Sequence, residues 1–294
     1  MLSLRRMWAV ARYELAWDLK KKRTYLIVGL FLFAAFVYAY LLPIVAGESI
    51  TTGLTPLGIS SVSDLWWVMV VYFVFNTFVS GVFPLLIGGF VAADSLASEF
   101  DENTITPLLS QPVRKVELYA GKFVEKILLL LVVSALFTLL ILAGSEASVG
   151  AQAQLYMFPL LVFAEFGAFL EFAALAFFFG SFSRSGLMVL GILIAVFLGI
   201  TGTVLVLGLK FGLQESMFLV PMMNADFLIN VVPYYIYQPW GVMVLQGRFN
   251  GAPTQPVVVT VTSALEYSLL GLVMIVVSAL IAGYFIFRRS EVKG

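Results

Sequence analysis

The chain has 294 residues, of which 61% are hydrophobic and only 12% charged, and its mean hydropathy is +1.02. A soluble domain carries about 25% charged residues, so the composition is that of a membrane protein. Seventeen basic residues balance seventeen acidic ones, and there is no Cys and no His, which excludes disulfides, zinc thiolate centres, Cys or His nucleophiles, HExxH metalloproteases and Ser–His proteases.

No catalytic residue and no metal site is assigned. Gly121-Lys122 is followed by Phe123 and has no upstream glycine in P-loop register, so the chain has no phosphate-cradling loop of its own.

The first element predicted is an amphipathic helix within residues 1–24. Leu4, Met7, Trp8, Ala11, Leu15 and Leu19 recur at spacings of three and four and form one apolar stripe. Arg5, Arg12, Asp18 and Lys22 fall on other faces, with Asp18 and Lys22 spaced for an i,i+4 pair. Trp8 and Trp17 suit a headgroup layer. The least this helix does is supply a positive topogenic patch; the further reading is an elbow helix that also meets a cytoplasmic partner. The first span, which follows it, has no small-residue cleavage pattern and is expected to stay in place.

Six transmembrane helices follow, near 25–45, 65–93, 127–144, 156–180, 187–209 and 265–287. The second is too long for one straight span. Asn76, Gly81, Pro84 and Gly88-Gly89 predict a kink or break near Pro84, because proline removes an internal hydrogen bond and clashes with the preceding turn. Fifteen of the seventeen basic residues fall on one side of these spans; Lys210 and Arg248 fall on the other. The positive-inside rule then puts both termini in the cytoplasm, as an even number of spans requires.

Residues 94–126 form the one long polar interruption on the cytoplasmic side. It holds Asp94, Glu99, Asp101, Glu102, Glu117 and Glu125 with Arg114, Lys115, Lys122 and Lys126. The predicted order is a helix continuing the second span, a break at 101–104, a short apolar-faced piece at 104–110, and a restart at Pro112, a residue suited to a first helical turn. Ile105, Leu108 and Leu109 would be wasteful in water. They either dock into a groove on a partner or fold back on their own hairpin.

Asn76, Glu165 and Glu171 are polar residues inside predicted spans. A carboxylate there costs at least about 2.5 kcal/mol, so each glutamate should face protein or water, ionised or protonated. Six residues separate the two, which places them roughly 120° apart on a helix. They are either substrate, cation or proton contacts, or buried polar ties to neighbouring spans. Residues 210–264 form an exterior re-entrant or interfacial segment rich in aromatics and proline, including Phe218, Tyr234, Tyr235, Tyr237 and Trp240. It is read as an anchoring cap or as an exit gate, and Gly247, Asn250, Gly251 and Pro253 mark a loop within it.

Glu99, Asn103-Thr104, Leu108-Leu109-Ser110, Pro112, Arg114 and Lys122 resemble, in that order, the pattern of the permease subunits of type-2 ABC transporters, the second exporter class. The resemblance extends to Ala11-Arg12-Tyr13-Glu14-Leu15, to Gly180-Ser181-Phe182-Ser183-Arg184-Ser185 between the fourth and fifth spans, and to the six-span layout of the whole chain. Asn103 stands where glycine is usual. The resemblance implies an all-α polytopic permease, one domain over 1–294, with an N-terminal interfacial helix and a cytoplasmic coupling hairpin between the second and third spans. It implies two separate ABC ATPase subunits, which bind ATP and Mg, and a second permease copy, identical or similar. The ATPase-coupling residues would be Glu99, Asn103, Thr104, Ile105, Leu108, Leu109, Ser110 and Pro112.

The function expected is therefore the transmembrane subunit of an exporter in the plasma membrane, multi-pass, embedded in the lipid bilayer, with no catalytic activity, no cofactor and no nucleic acid partner of its own. The alternative is an ion-coupled secondary transporter using Glu165 and Glu171, for which internal repeats are usual; spans one to three show no convincing similarity to spans four to six. An intramembrane transferase ranks last, since no Asp, His or Cys constellation exists.

Overall fold

A computed structural model describes residues 3–22, 25, 28–33, 35–37, 39–41, 84–101, 114–151, 155, 158–183, 185–211, 224, 242–245, 248–249, 252–253 and 257–289. The helices are α1 (Leu4–Asp18), α2 (Val28–Leu41), a π-helical turn (Leu85–Gly89) running into α3 (Phe90–Asp101), α4 (Lys115–Val149), α5 (Phe158–Gly180), α6 (Gly186–Phe211) and α7 (Val261–Arg289). Three of them, within α4, α5 and α7, are long and apolar enough to cross a membrane; α2 and the apolar parts of the π turn with α3 and of α6 are shorter among the described residues.

The helix ends follow local chemistry. Arg114 is extended (φ −77°, ψ 148°) and its N–H donates to Glu117 Oε2 at 3.1 Å, so α4 starts at Lys115. The expected restart residue, Pro112, lies outside the described residues; within them the Glu117 carboxylate caps the first turn. Thirty-five residues make α4 about 52 Å long, some 20 Å more than a hydrocarbon core. Its charged first turns therefore stand outside the lipid. Thr260 Oγ1 accepts the Ser263 N–H at 3.3 Å and opens α7.

The break expected near Pro84 coincides with the π-helical turn that begins at the next residue. A π turn widens the helix locally, and here it brings Gly88 against α5. A Cβ on Gly88 would land on the backbone oxygen of Phe169, so only glycine permits the approach.

α5 is the hub. It packs against the π turn, α3, α4, α6 and α7. Of its apolar stretch 72% is buried, against 44% for α4 and 22% for α7, which places α5 inside and leaves α7 facing outward. Phe31 of α2 stacks on Phe137 of α4 at 4.7 Å and meets Phe169 of α5 edge-on at 6.4 Å, joining three helices through one aromatic cluster.

The segment expected to be exterior holds the described strands, which an all-α reading does not include. β1 (Val242–Leu245) pairs antiparallel with β4 (Val257–Thr260), and β2 (Arg248–Phe249) with β3 (Ala252–Pro253). The register runs Val242↔Thr260 to Leu245↔Val257, then Arg248↔Pro253 and Phe249↔Ala252, a shift of one residue between the two ladders. The valines at 257–259 favour the pleated chain. In the sequence Asn250-Gly251 stand between Phe249 and Ala252, a pair common in two-residue hairpin loops. They lie outside the described residues.

Gly88→Ala should lower the thermal unfolding midpoint of the purified protein, because the methyl must displace backbone; overpacking of this kind costs about 1–3 kcal/mol. Gly191 has open space around its Cα, so Gly191→Ala should leave the midpoint unchanged or raise it. Equal midpoints for the two variants would contradict the close approach.

Candidate functional site

One end of the bundle gathers the charged residues. α1 lies along the first turns of α4, and its packed face is Ser3, Met7, Val10, Ala11, Glu14 and Asp18, at helical spacing. Glu117 is fully buried: its Oε1 accepts the Ser3 N–H at 2.9 Å, while Arg6, half exposed, lies 3.7 Å from Oε2 and adds little. Lys122, 1% exposed, pairs with Glu14 at 2.8 Å. Lys126, also buried, pairs with Asp18 and with Glu125 at 3.0 Å, and Lys21 meets Asp18 at 2.7 Å. Glu14 and Asp18 are i,i+4 on one helix; Lys122 and Lys126 are i,i+4 on the other. Two matched steps thus form a charged seam.

Between the two steps and Glu117 sits Gly121. A Cβ there would lie 2.7 Å from Val10 Cβ and 2.8 Å from the Met7 carbonyl oxygen, so the glycine lets α1 come close enough for the charges to meet. Burial alone would push the Asp18 carboxyl up. The Lys126 and Lys21 ammonium groups more than offset this and hold it below the usual carboxylate range. Its contribution to docking is present at neutral pH and is lost as pH falls through the lowered value.

The seam is joined to the rest of that end. Tyr119 of α4 packs on Phe177 of α5 (5.1 Å) and on Tyr284 (5.7 Å) and Phe287 (5.6 Å) of α7, and Phe123 packs on Phe177 at 5.4 Å. Lys115 Nζ donates to the Arg288 carbonyl at 3.2 Å, near the C-terminus of α7. The expected tight turn after Gly180 is present: Ser183 N–H donates to the Phe179 carbonyl at 3.1 Å, Ser181 and Ser183 are buried, and α6 begins at Gly186. Gly180 faces Leu96 and Ala97 of α3, so the helix arriving at the polar interruption is held against the same turn.

Of the coupling residues read from the sequence, Glu99 lies on α3, which continues to Asp101 as expected. Asn103, Thr104, Ile105, Leu108, Leu109, Ser110 and Pro112 lie outside the described residues, as does Asn76. The expected Asp18–Lys22 pair is replaced: Asp18 takes Lys21 and Lys126, because it sits on the face of α1 turned toward α4. The apolar stripe divides. Leu4, Trp8 and Leu19 are exposed, whereas Ala11 is fully buried against α4. Sequence reasoning missed Glu14 as a partner for Lys122. The matched i,i+4 acid and lysine steps were the available signal.

Glu165 and Glu171, both fully buried on α5, are brought to different partners. Glu165 Oε2 lies 2.9 Å from Thr138 Oγ1 of α4, and Thr138 Oγ1 also lies 3.0 Å from the Ser134 carbonyl oxygen. Glu171 Oε1 accepts from Asn224 Nδ2. Asn224, helical and buried, belongs to the chain between α6 and β1 and was not singled out in the sequence, where nothing distinguishes it from other exterior polar residues. Among the described residues neither glutamate forms an ion pair, and no group of His, Cys, Asp and Glu is arranged to hold a metal.

Lys122→Met leaves the largely buried Glu14 without its cation and should destabilise the protein by about 3 kcal/mol, the lower end of the cost of halving a buried pair. Glu14→Leu combined with Lys122→Met should recover most of that loss in a thermal unfolding assay. A double variant as unstable as the single one would contradict the pairing.

Comparison with known families matches residues 8–292 to the model of the ABC-2 family transporter proteins. No curated protein matches significantly. The match covers nearly the whole chain and agrees with the membrane-length apolar helices. The chain belongs to the ABC-2 transporter family and is a multi-pass membrane subunit of an ABC transporter.

Proposed function

We propose that this chain is the permease of an ATP-driven exporter in the plasma membrane, working as two copies, or with a similar subunit, alongside two ABC ATPase subunits. Family membership over residues 8–292 carries the reading, since members of the family work with an ABC ATPase. The basic end of the bundle is the cytoplasmic one under the positive-inside rule, and both termini lie there. The ATPase grips residues 104–110 through Ile105, Leu108 and Leu109, flanked by Glu99, Asn103, Thr104, Ser110 and Pro112. ATP and Mg are held by that partner.

The physical support for coupling is continuity. Residues 102–113 connect α3 to α4. α3 is braced against the turn after α5, and α4 is bound along its first turns to α1. A push delivered between α3 and α4 therefore reaches α1, α5 and α7 through packed side chains rather than through a loose loop. Ion coupling through Glu165 and Glu171 lacks comparable support, because the two carboxyls face Thr138 and Asn224 rather than a shared cavity.

The affinity-tagged chain should copurify with an ATPase, and Leu108→Asp with Leu109→Asp should release it while the permease remains folded. Glu165→Gln and Glu171→Gln should leave ATP-driven transport close to wild type. A chain that purifies alone and carries out gradient-driven uptake abolished by either Gln variant would overturn the proposal in favour of ion coupling.

A further inference from the structure

Glu171 sits thirteen residues from the Phe158 end of α5 and nine from the Gly180 end. At 1.5 Å per residue that is about 20 Å and 14 Å, close to the middle of a bilayer core about 30 Å thick. Asn224 follows α6 in the chain, yet its side chain reaches this depth, and both residues are fully buried. A hydrogen bond joins the two side chains.

The donor count of the pair is incomplete in a particular way. Asn224 Nδ2 donates to Glu171 Oε1, while Glu171 Oε2 and Asn224 Oδ1 have no partner among the described residues. Both orphans are acceptors if Glu171 is ionised. They belong to two groups already joined through their other polar atoms. One proton on Glu171 Oε2 turns an orphan acceptor into a donor, and the two-point geometry of an acid against an amide lets it serve the orphan Asn224 Oδ1. Carboxylic acid and primary amide then close a two-point ring of parallel hydrogen bonds.

Thr138 has a parallel shortage. Its single hydroxyl proton cannot serve both the Ser134 carbonyl and Glu165 Oε2, whereas a neutral Glu165 donating to Thr138 lets Thr138 donate to Ser134. No described cation is placed to favour the charged form of either acid. The ionisable side chains of α4 lie in its first turns and at Glu146, and those of α7 lie at Glu266 and Tyr267 and from Tyr284 to Arg289, toward the helix ends. α3 carries Asp94, which lies against Gly186 at the start of α6, followed by Glu99 and Asp101 in its last turn, and α6 carries Lys210 one residue before its last.

We propose that Glu171 is a neutral carboxylic acid which, with Asn224, forms a two-point acid–amide pair pinning Asn224 to the middle of α5. Glu171 and Asn224 are positioning residues. A neutral pair avoids the cost of a bare carboxylate at mid-depth and gives direction to a contact that apolar packing alone would leave slack. Glu171→Gln keeps a two-point amide–amide pair, whereas Asn224→Leu removes both bonds and leaves the acid in place.

The test is infrared difference spectroscopy on the purified full-length protein at neutral pH. Subtracting the Glu171→Gln spectrum should reveal the loss of a protonated carboxyl C=O band. In Asn224→Leu the same band should persist and move to higher frequency, because its carbonyl loses the amide donor. If Glu171→Gln does not fold, the Asn224→Leu shift alone decides. Loss of carboxylate bands in place of the C=O band, or a C=O band that Asn224→Leu leaves unmoved, overturns the proposal.

Discussion

Lys122 and Lys126 leave water at the foot of a membrane helix, and they do so only because Glu14 and Asp18 come to meet them. Everything at this end of the molecule depends on that exchange. A buried lysine without a counter-charge is costly, so the two helices are docked in one register or not at all. Gly121 sets the separation, Glu117 fastens the first residue of one helix to the first turn of the other, and Lys21 helps keep Asp18 ionised. The apolar residues Leu4, Trp8 and Leu19, left on the outside of α1, are then free to face the headgroup layer.

The seam matters because of where α4 goes. The same helix that carries Lys122 and Lys126 continues for a full membrane thickness and packs on α5. α5 in turn touches most of the other described helices, and its contacts are close: Gly88 against the Phe169 backbone, Phe31 and Phe137 stacked beside Phe169. Such packing transmits a displacement instead of absorbing it. For an ABC-2 transporter the arrangement supplies what the proposed mechanism requires: a stiff connection from the polar interruption into the buried centre of the bundle.

Much of this was legible in the residues. Helices α5, α6 and α7 coincide with predicted spans to within a few residues, because long apolar runs bounded by Gly180-Ser181 or by Arg288-Arg289 leave little choice. Pro84 announced a disturbed helix, and a π turn follows it. Less legible was what one helix does to another. The stripe from Leu4 to Leu19 was visible, but the opposite face carrying Glu14 and Asp18 reads as ordinary solvated charge until Lys122 and Lys126 are placed beside it. Asn224 had no local signal, since its partner is fifty-three residues away. The strands β1 to β4 were obscured for a different reason: aromatic and proline content suggested an interfacial cap, whereas the valines at 242, 244 and 257–259 favour the pleated chain. The coupling residues Asn103 to Pro112 rest on family resemblance and lie beyond the described structure.

The charged seam should make α1 and α4 move as one body when the transporter turns over. The chain has no cysteine, so single thiols introduced at Arg12 and Val132, both exposed, can carry spin labels without background. Pulsed electron resonance on the complex with its ATPase would give the α1–α4 distance with and without ATP. A seam that holds gives one unchanged distance in both states. A nucleotide-dependent change of several ångströms between α1 and α4 would show that the seam slides or opens, and would contradict that expectation.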